Sequence, residues 1–122
     1  MAEDTSAINA HAAAISLDDR LAAAEILQEL VIDVIDLSLV GKQAHWNLRG
    51  RSFRDLHLQL DELVDVAREG ADTLAERLLQ LGVAADGRAE TIDKSSHLEK
   101  FPEGRVGDEE VVDLIVAALE TV

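Results

Sequence analysis

The strongest constraint on this chain is one long helical stretch that carries two pairs of potential metal ligands, His57 with Asp61 and Asp72 with Glu76, each at i, i+4 spacing. At about 100° and 1.5 Å per residue, the four side chains fall within roughly 100° of one another around the helix axis and share a face. The two pairs are about 16 Å apart along that axis, more than one metal centre spans. One copy of the helix therefore cannot close a site from them. The pairs are, however, mirror-placed about the midpoint between Val66 and Ala67. An antiparallel copy related by a two-fold axis near that midpoint would set His57 opposite the partner's Glu76 and Asp61 opposite the partner's Asp72, an isologous geometry that most dimers use. Ala67, Gly70 and Ala71 near the midpoint are expected to let the two copies approach closely. Folding the chain back around Arg51 sets His45 beside His57. The candidate cluster is then His45, His57 and Asp61 of one chain with Asp72 and Glu76 of the other. Spacing alone leaves other readings open: His45 beside Trp46 can be a hydrogen-bonded structural histidine, and Asp72 with Glu76 a solvated face.

The rest of the chain reads as helices. Residues 1–15 lack Lys, Arg and a convincing cap, and are expected to form a flexible N-terminal tail in which His11 is solvated. Ser16 followed by Asp19 has the form of a capping box and opens a helix expected to run to about Asn47. Its apolar positions Leu27, Leu30, Val31, Val34, Leu37 and Val40 follow a three-four rhythm. Ile26, Ile32, Ile35 and Leu39 widen that stripe until the helix is apolar over much of its girth, as burial from several sides would require. Gly50 is expected to stop this helix and Ser52 to cap a second one, Phe53 to Leu81, that Gly82 ends. A short helix is expected around Thr91 to Lys100, with His97 facing solvent. The acids Asp108, Glu109 and Glu110 open a third long helix at its positive end.

The run Lys42-Gln43-Ala44-His45-Trp46-Asn47, then Arg49-Gly50, Phe53, His57, Asp61-Glu62, Asp72 and Ala75-Glu76-Arg77, closely resembles the Dps family of mini-ferritins, the starvation-induced DNA-protection proteins. The match is dense from about Val31 to Gly82. The resemblance implies an all-α fold: a ferritin-like four-helix bundle subunit within a hollow dodecamer. Measured against that pattern, the domain at residues 16–122 is C-terminally incomplete, holding about three helices plus a short connecting one. Carried over position by position, the resemblance places an iron-oxidising centre at the subunit dyad, with His45, His57 and Asp61 from one subunit and Asp72 and Glu76 from its neighbour. Trp46, next to a ligand, is expected to be either an electron donor or a packing anchor.

Two imidazoles and three carboxylates, with no sulfur, suit Fe²⁺ and also admit Zn²⁺, Mn²⁺ or Co²⁺. The family's reaction is oxidation of ferrous iron by hydrogen peroxide or dioxygen, followed by storage of the ferric product, which protects against oxidative damage. A bacterioferritin-type site inside one bundle needs Glu-x-x-His motifs, and the sequence has none. The chain has no cysteine, which removes thiolate metal sites and disulfides. Its formal charge of -14 and tail without basic residues weigh against binding DNA phosphates. With no apolar run long enough to cross a bilayer, a cytoplasmic location is expected. The competing reading is a non-catalytic acidic helical protein whose dyad helices merely dimerise.

Overall fold

The computed structural model describes residues 15–122; the expected tail, with His11, lies outside them apart from Ile15. Helix α1 spans Leu17–Asn47 and begins as its sequence dictates, with the Ser16 hydroxyl accepting the Asp19 N–H at 3.1 Å and acids in the first turn. After the two-residue strand β1 (Leu48–Arg49), helix α2 (Phe53–Gln80) runs back along α1. Helix α3 (Ala89–Ser95), strand β2 (Val106–Gly107) and helix α4 (Asp108–Thr121) follow. No helix among the described residues is long and apolar enough to cross a membrane.

The hairpin packs through two apolar clusters. Leu37, Val40, Ala44, Leu48, Leu60, Ala67, Val111 and Ile115 gather near the α1–α2 turn, with Leu98 and Val106 from the later segments. Ala24, Val31 and Leu78 form the centre of the other. Gly41 lets the long helices approach between them, since a Cβ there would lie 2.9 Å from Val64 Cγ2. Two of the small residues expected at a dyad face α1 of their own subunit. Ala67 is 4% exposed within its own subunit's core, and a Cβ on Gly70 would meet Val34 of α1.

Helix α2 ends in a Schellman motif: Val83 N–H donates to Leu78 O, Gly82 N–H to Leu79 O, and Gly82 has φ +80°. Its start differs from expectation. Ser52 makes no side-chain cap; its backbone N–H donates instead to Asp108 Oδ2 at 3.0 Å from across the fold. Nor does Gly50 stop α1 directly: the helix finishes at Asn47, where parallel pairing of Leu48 with Val106 and Arg49 with Gly107 draws the chain extended. Arg105 reinforces this end, its Nε donating to Asn47 O at 3.1 Å. An apolar groove of about 280 Å³ runs between α2 and α4, walled by Leu56, Leu60, Leu63, Val111, Val116 and Leu119.

Helix α3 starts earlier than expected and stops at Ser95, because side chains of α1 seize the following residues. Ser96 Oγ donates to Asp36 Oδ2 at 2.5 Å, and the His97 backbone N–H donates to Asp33 Oδ1 at 2.9 Å. The His97 ring reaches solvent as expected, at 57% side-chain exposure, yet its Nδ1 also lies 2.9 Å from Asp33 Oδ2. That hydrogen bond, then the Asp33 charge, raise the imidazole pKa above its ordinary value. A raised folded-state pKa gives stability that is complete below the unfolded value and lost as pH rises through the folded one. Wild type should therefore out-melt His97→Gln at about pH 5.5 by more than at about pH 9. The effect is modest on so exposed a ring. Parallel melting curves of the two proteins across that range would rule the contact out as an ionic one.

Candidate metal centre

His45 lies on the last turn of α1 and His57 on the first turns of α2, and the tight connection between them brings the rings face to face. Their centroids are 3.6 Å apart with planes inclined by 13°. Each ring is tied to the other residue's backbone: His45 Nδ1 to His57 O at 2.5 Å, and His57 Nδ1 to His45 O at 2.8 Å. A carbonyl oxygen only accepts, so both Nδ1 atoms carry a proton, and in the neutral ring the lone pair then falls on Nε2. This is the tautomer a metal-ligating imidazole needs. Phe53, itself 39% exposed, stacks on His57 with ring centroids 4.9 Å apart.

Asp61, one turn beyond His57, brings Oδ1 to 4.0 Å from His45 Nε2. The same oxygen accepts a 2.6 Å hydrogen bond from Lys42 Nζ, one turn before His45 on α1. That bond is the main cause of the lowered Asp61 pKa; the Lys42 charge and the two nearby histidines lower it further, against the opposing effect of burial. The carboxylate is thus kept ionised with a cation already at its side. Lys42 enters the sequence reading only as part of a matching motif, and no local signal there shows that it reaches Asp61.

Asp72 and Glu76 lie further along α2, on the surface. The structure brings together His45, His57 and Asp61 and leaves the other two apart. Among the described residues, no three His, Asp or Glu side chains of one chain form a group that could hold a metal ion. The exposed face that bears Asp72 and Glu76 also carries Leu58 (50% exposed) and Leu79 (59%), both within roughly 40° of Asp72 around the axis.

A family model described as a ferritin-like domain matches residues 24–122. The chain belongs to the ferritin-like family. Within it the chain is a member of the Dps group. The DNA protection during starvation protein of Agrobacterium fabrum is 43% identical over 77 residues, 63% of this chain and 48% of that protein. Among solved structures, Dps92 of Deinococcus radiodurans superposes with a TM-score of 0.83 at 35% identity, covering 85% of this chain and 63% of that one. Dps from Microbacterium arborescens, in a high iron form, gives 0.78 at 36% identity, covering 83% and 66%. The chain spans about half the length of the curated relatives it matches.

Within its own subunit of the Dps group, Trp46 stays at the surface. It is 64% exposed and lines an open groove of about 600 Å³ with Leu39, Lys42, Arg68, Ile92 and Phe101.

Proposed function

We propose that this chain is a mini-ferritin that oxidises ferrous iron at a site shared by two subunits related by a dyad, and stores the ferric product in a hollow dodecameric shell. His45, His57 and Asp61 hold iron from one subunit, and Asp72 and Glu76 complete the site from its neighbour. The observation that carries the reading is the locked imidazole pair with both Nε2 lone pairs free, beside an ionised Asp61. The exposed acid pair, mirror-placed on the same helix, is its natural complement.

Iron is the substrate, and the donor set fits it. Imidazole nitrogens accept ferrous iron, while the hard carboxylate oxygens favour the ferric state and so lower the barrier to losing an electron. The Lys42 ammonium balances Asp61 until a divalent cation arrives and takes its place. Hydrogen peroxide accepts two electrons, one from each of two ferrous ions, and leaves as water with two protons taken up; delivery as a pair releases no hydroxyl radical. Dioxygen is the slower alternative oxidant. Trp46, next to His45 in sequence and exposed, supplies an electron in this reading when a second ferrous ion is lacking. The protein works in the cytoplasm, protecting against oxidative damage by consuming iron and peroxide together. With a formal charge of -14, this part of the protein does not bind DNA through phosphate neutralisation.

Stopped-flow oxidation of Fe²⁺ by peroxide tests the assignment. Asp61→Ala and Glu76→Ala should each slow it by about a hundredfold or more, given what loss of even an outer ligand partner costs. Unchanged rates in both would leave the helical interaction protein as the better description.

A further inference from the structure

The histidine pair is aligned by residues from the far end of the chain. We propose that Asp108, assisted by Arg105, is a positioning residue for the His45–His57 pair, so that metal binding depends on a clamp some fifty residues away in sequence; this rests on the metal reading above.

The turn that separates the two histidines is gripped on both sides. On its α1 side, Arg105 donates from Nε to Asn47 O at 3.1 Å and from a terminal nitrogen to Leu48 O at 3.4 Å. In the middle, β1 pairs in parallel with β2, Leu48 opposite Val106 and Arg49 opposite Gly107. On its α2 side, Asp108 Oδ2 accepts the Ser52 N–H at 3.0 Å while Oδ1 accepts the N–H of Glu109 at 2.9 Å. One carboxylate therefore ties the first turn of α4 to the first turn of α2. Gly50 makes room for it: φ is +128°, and a Cβ would lie 2.5 Å from the Asp108 carboxyl carbon.

The geometry of the pair explains why such a grip matters. Each imidazole uses the other residue's backbone carbonyl as its acceptor, so the two contacts share one relative placement of α1 and α2. A slip of one residue along either helix, about 1.5 Å, breaks both at once. Within the α1–α2 turn itself the Phe53 N–H donates to Gly50 O at 3.3 Å, but Ser52 provides no side-chain cap to hold the start of α2. The 105–108 segment supplies what the turn lacks.

Co²⁺, whose visible absorption reports nitrogen and oxygen ligation, is the probe, titrated into the whole protein. Asp108→Ala should weaken Co²⁺ binding by about tenfold, the order expected when a group that orients ligands is lost. Asp108→Asn, whose amide oxygen can still accept the Ser52 N–H, should stay within about threefold. Arg105→Lys, a single point donor in place of a fork, should fall between them. Val31→Ala, in the other core cluster, lowers stability without touching the turn and should leave Co²⁺ binding unchanged. The second readout is the metal-free protein's imidazole NMR signals: the Nδ1-bound protons of His45 and His57 should be protected from exchange in wild type and Asp108→Asn, and exposed in Asp108→Ala. Wild-type Co²⁺ affinity in Asp108→Ala, an equal loss in Val31→Ala, or undisturbed imidazole protons in Asp108→Ala would each overturn the clamp. If wild type takes up no Co²⁺, the metal reading falls instead, and the imidazole protons still decide whether the clamp aligns the pair. Should Asp108→Ala fail to fold, Arg105→Lys carries the same comparison.

Discussion

Co-expressing His57→Ala and Glu76→Ala chains is expected to restore iron oxidation that neither variant has alone. Each variant by itself breaks both sites of its dimer, one by removing a nitrogen donor and the other an oxygen donor. In a mixed dimer the two losses fall on the same site, and the other site draws His57 from one chain and Glu76 from its partner, both intact. Random pairing makes about half of the dimers mixed, so about a quarter of all sites recover. Recovery to that level, measured as initial rate of peroxide-driven Fe²⁺ oxidation per site, requires ligands from two chains. A site built within one subunit predicts no recovery at any mixing ratio, because every such site would still lack a ligand. The experiment is sharper than single substitutions, since general damage to folding cannot repair itself on mixing.

The second large effect concerns stability. Leu78→Ala should cost about 2–5 kcal/mol, as a fully enclosed leucine truncated in a tight core does. Leu78 has no exposed surface and sits with Ala24 and Val31 in the cluster remote from the histidines. Its backbone carbonyl also accepts the Val83 N–H that closes α2. Against a total of about 5–15 kcal/mol for a domain, that loss should move the urea midpoint far to the left. Leu79→Ala, next in sequence but 59% exposed, should change unfolding of the dilute subunit by about 0.5 kcal/mol or less. Its loss should instead appear as weaker self-association in sedimentation experiments. Equal midpoints for the two variants would mean that the buried face of α2 has been misassigned.

What could be read in advance was whatever is local. Ser16 with Asp19, the three-four rhythm of α1 and the glycine at position 82 each act within a turn or so, and the structure shows the Ser16 cap and the Gly82 stop in place. The grouping of His45 with His57 and Asp61 was legible too, because helical angles and one tight reversal determine it. The role of Ala67 was misread, although the angular arithmetic that groups the ligands also puts it about 140° from Asp72 around the axis. Small size shows that something approaches closely; only the angle says that it is the chain's own α1. Illegible altogether were contacts made across long separations. Asp108 reaching Ser52, His97 reaching Asp33 and the two-residue pairing of Leu48 with Val106 leave no periodic or motif trace.

That short parallel pairing has a consequence for how the protein is made. The imidazoles are only twelve residues apart and can meet soon after both leave the ribosome, whereas β2 is synthesised much later. A nascent subunit therefore spends the interval with its two imidazoles close, and the clamp proposed above closes only when Val106 through Asp108 emerge. Translation order thus holds back the final alignment of the imidazoles until the whole α1–α2 hairpin has been made.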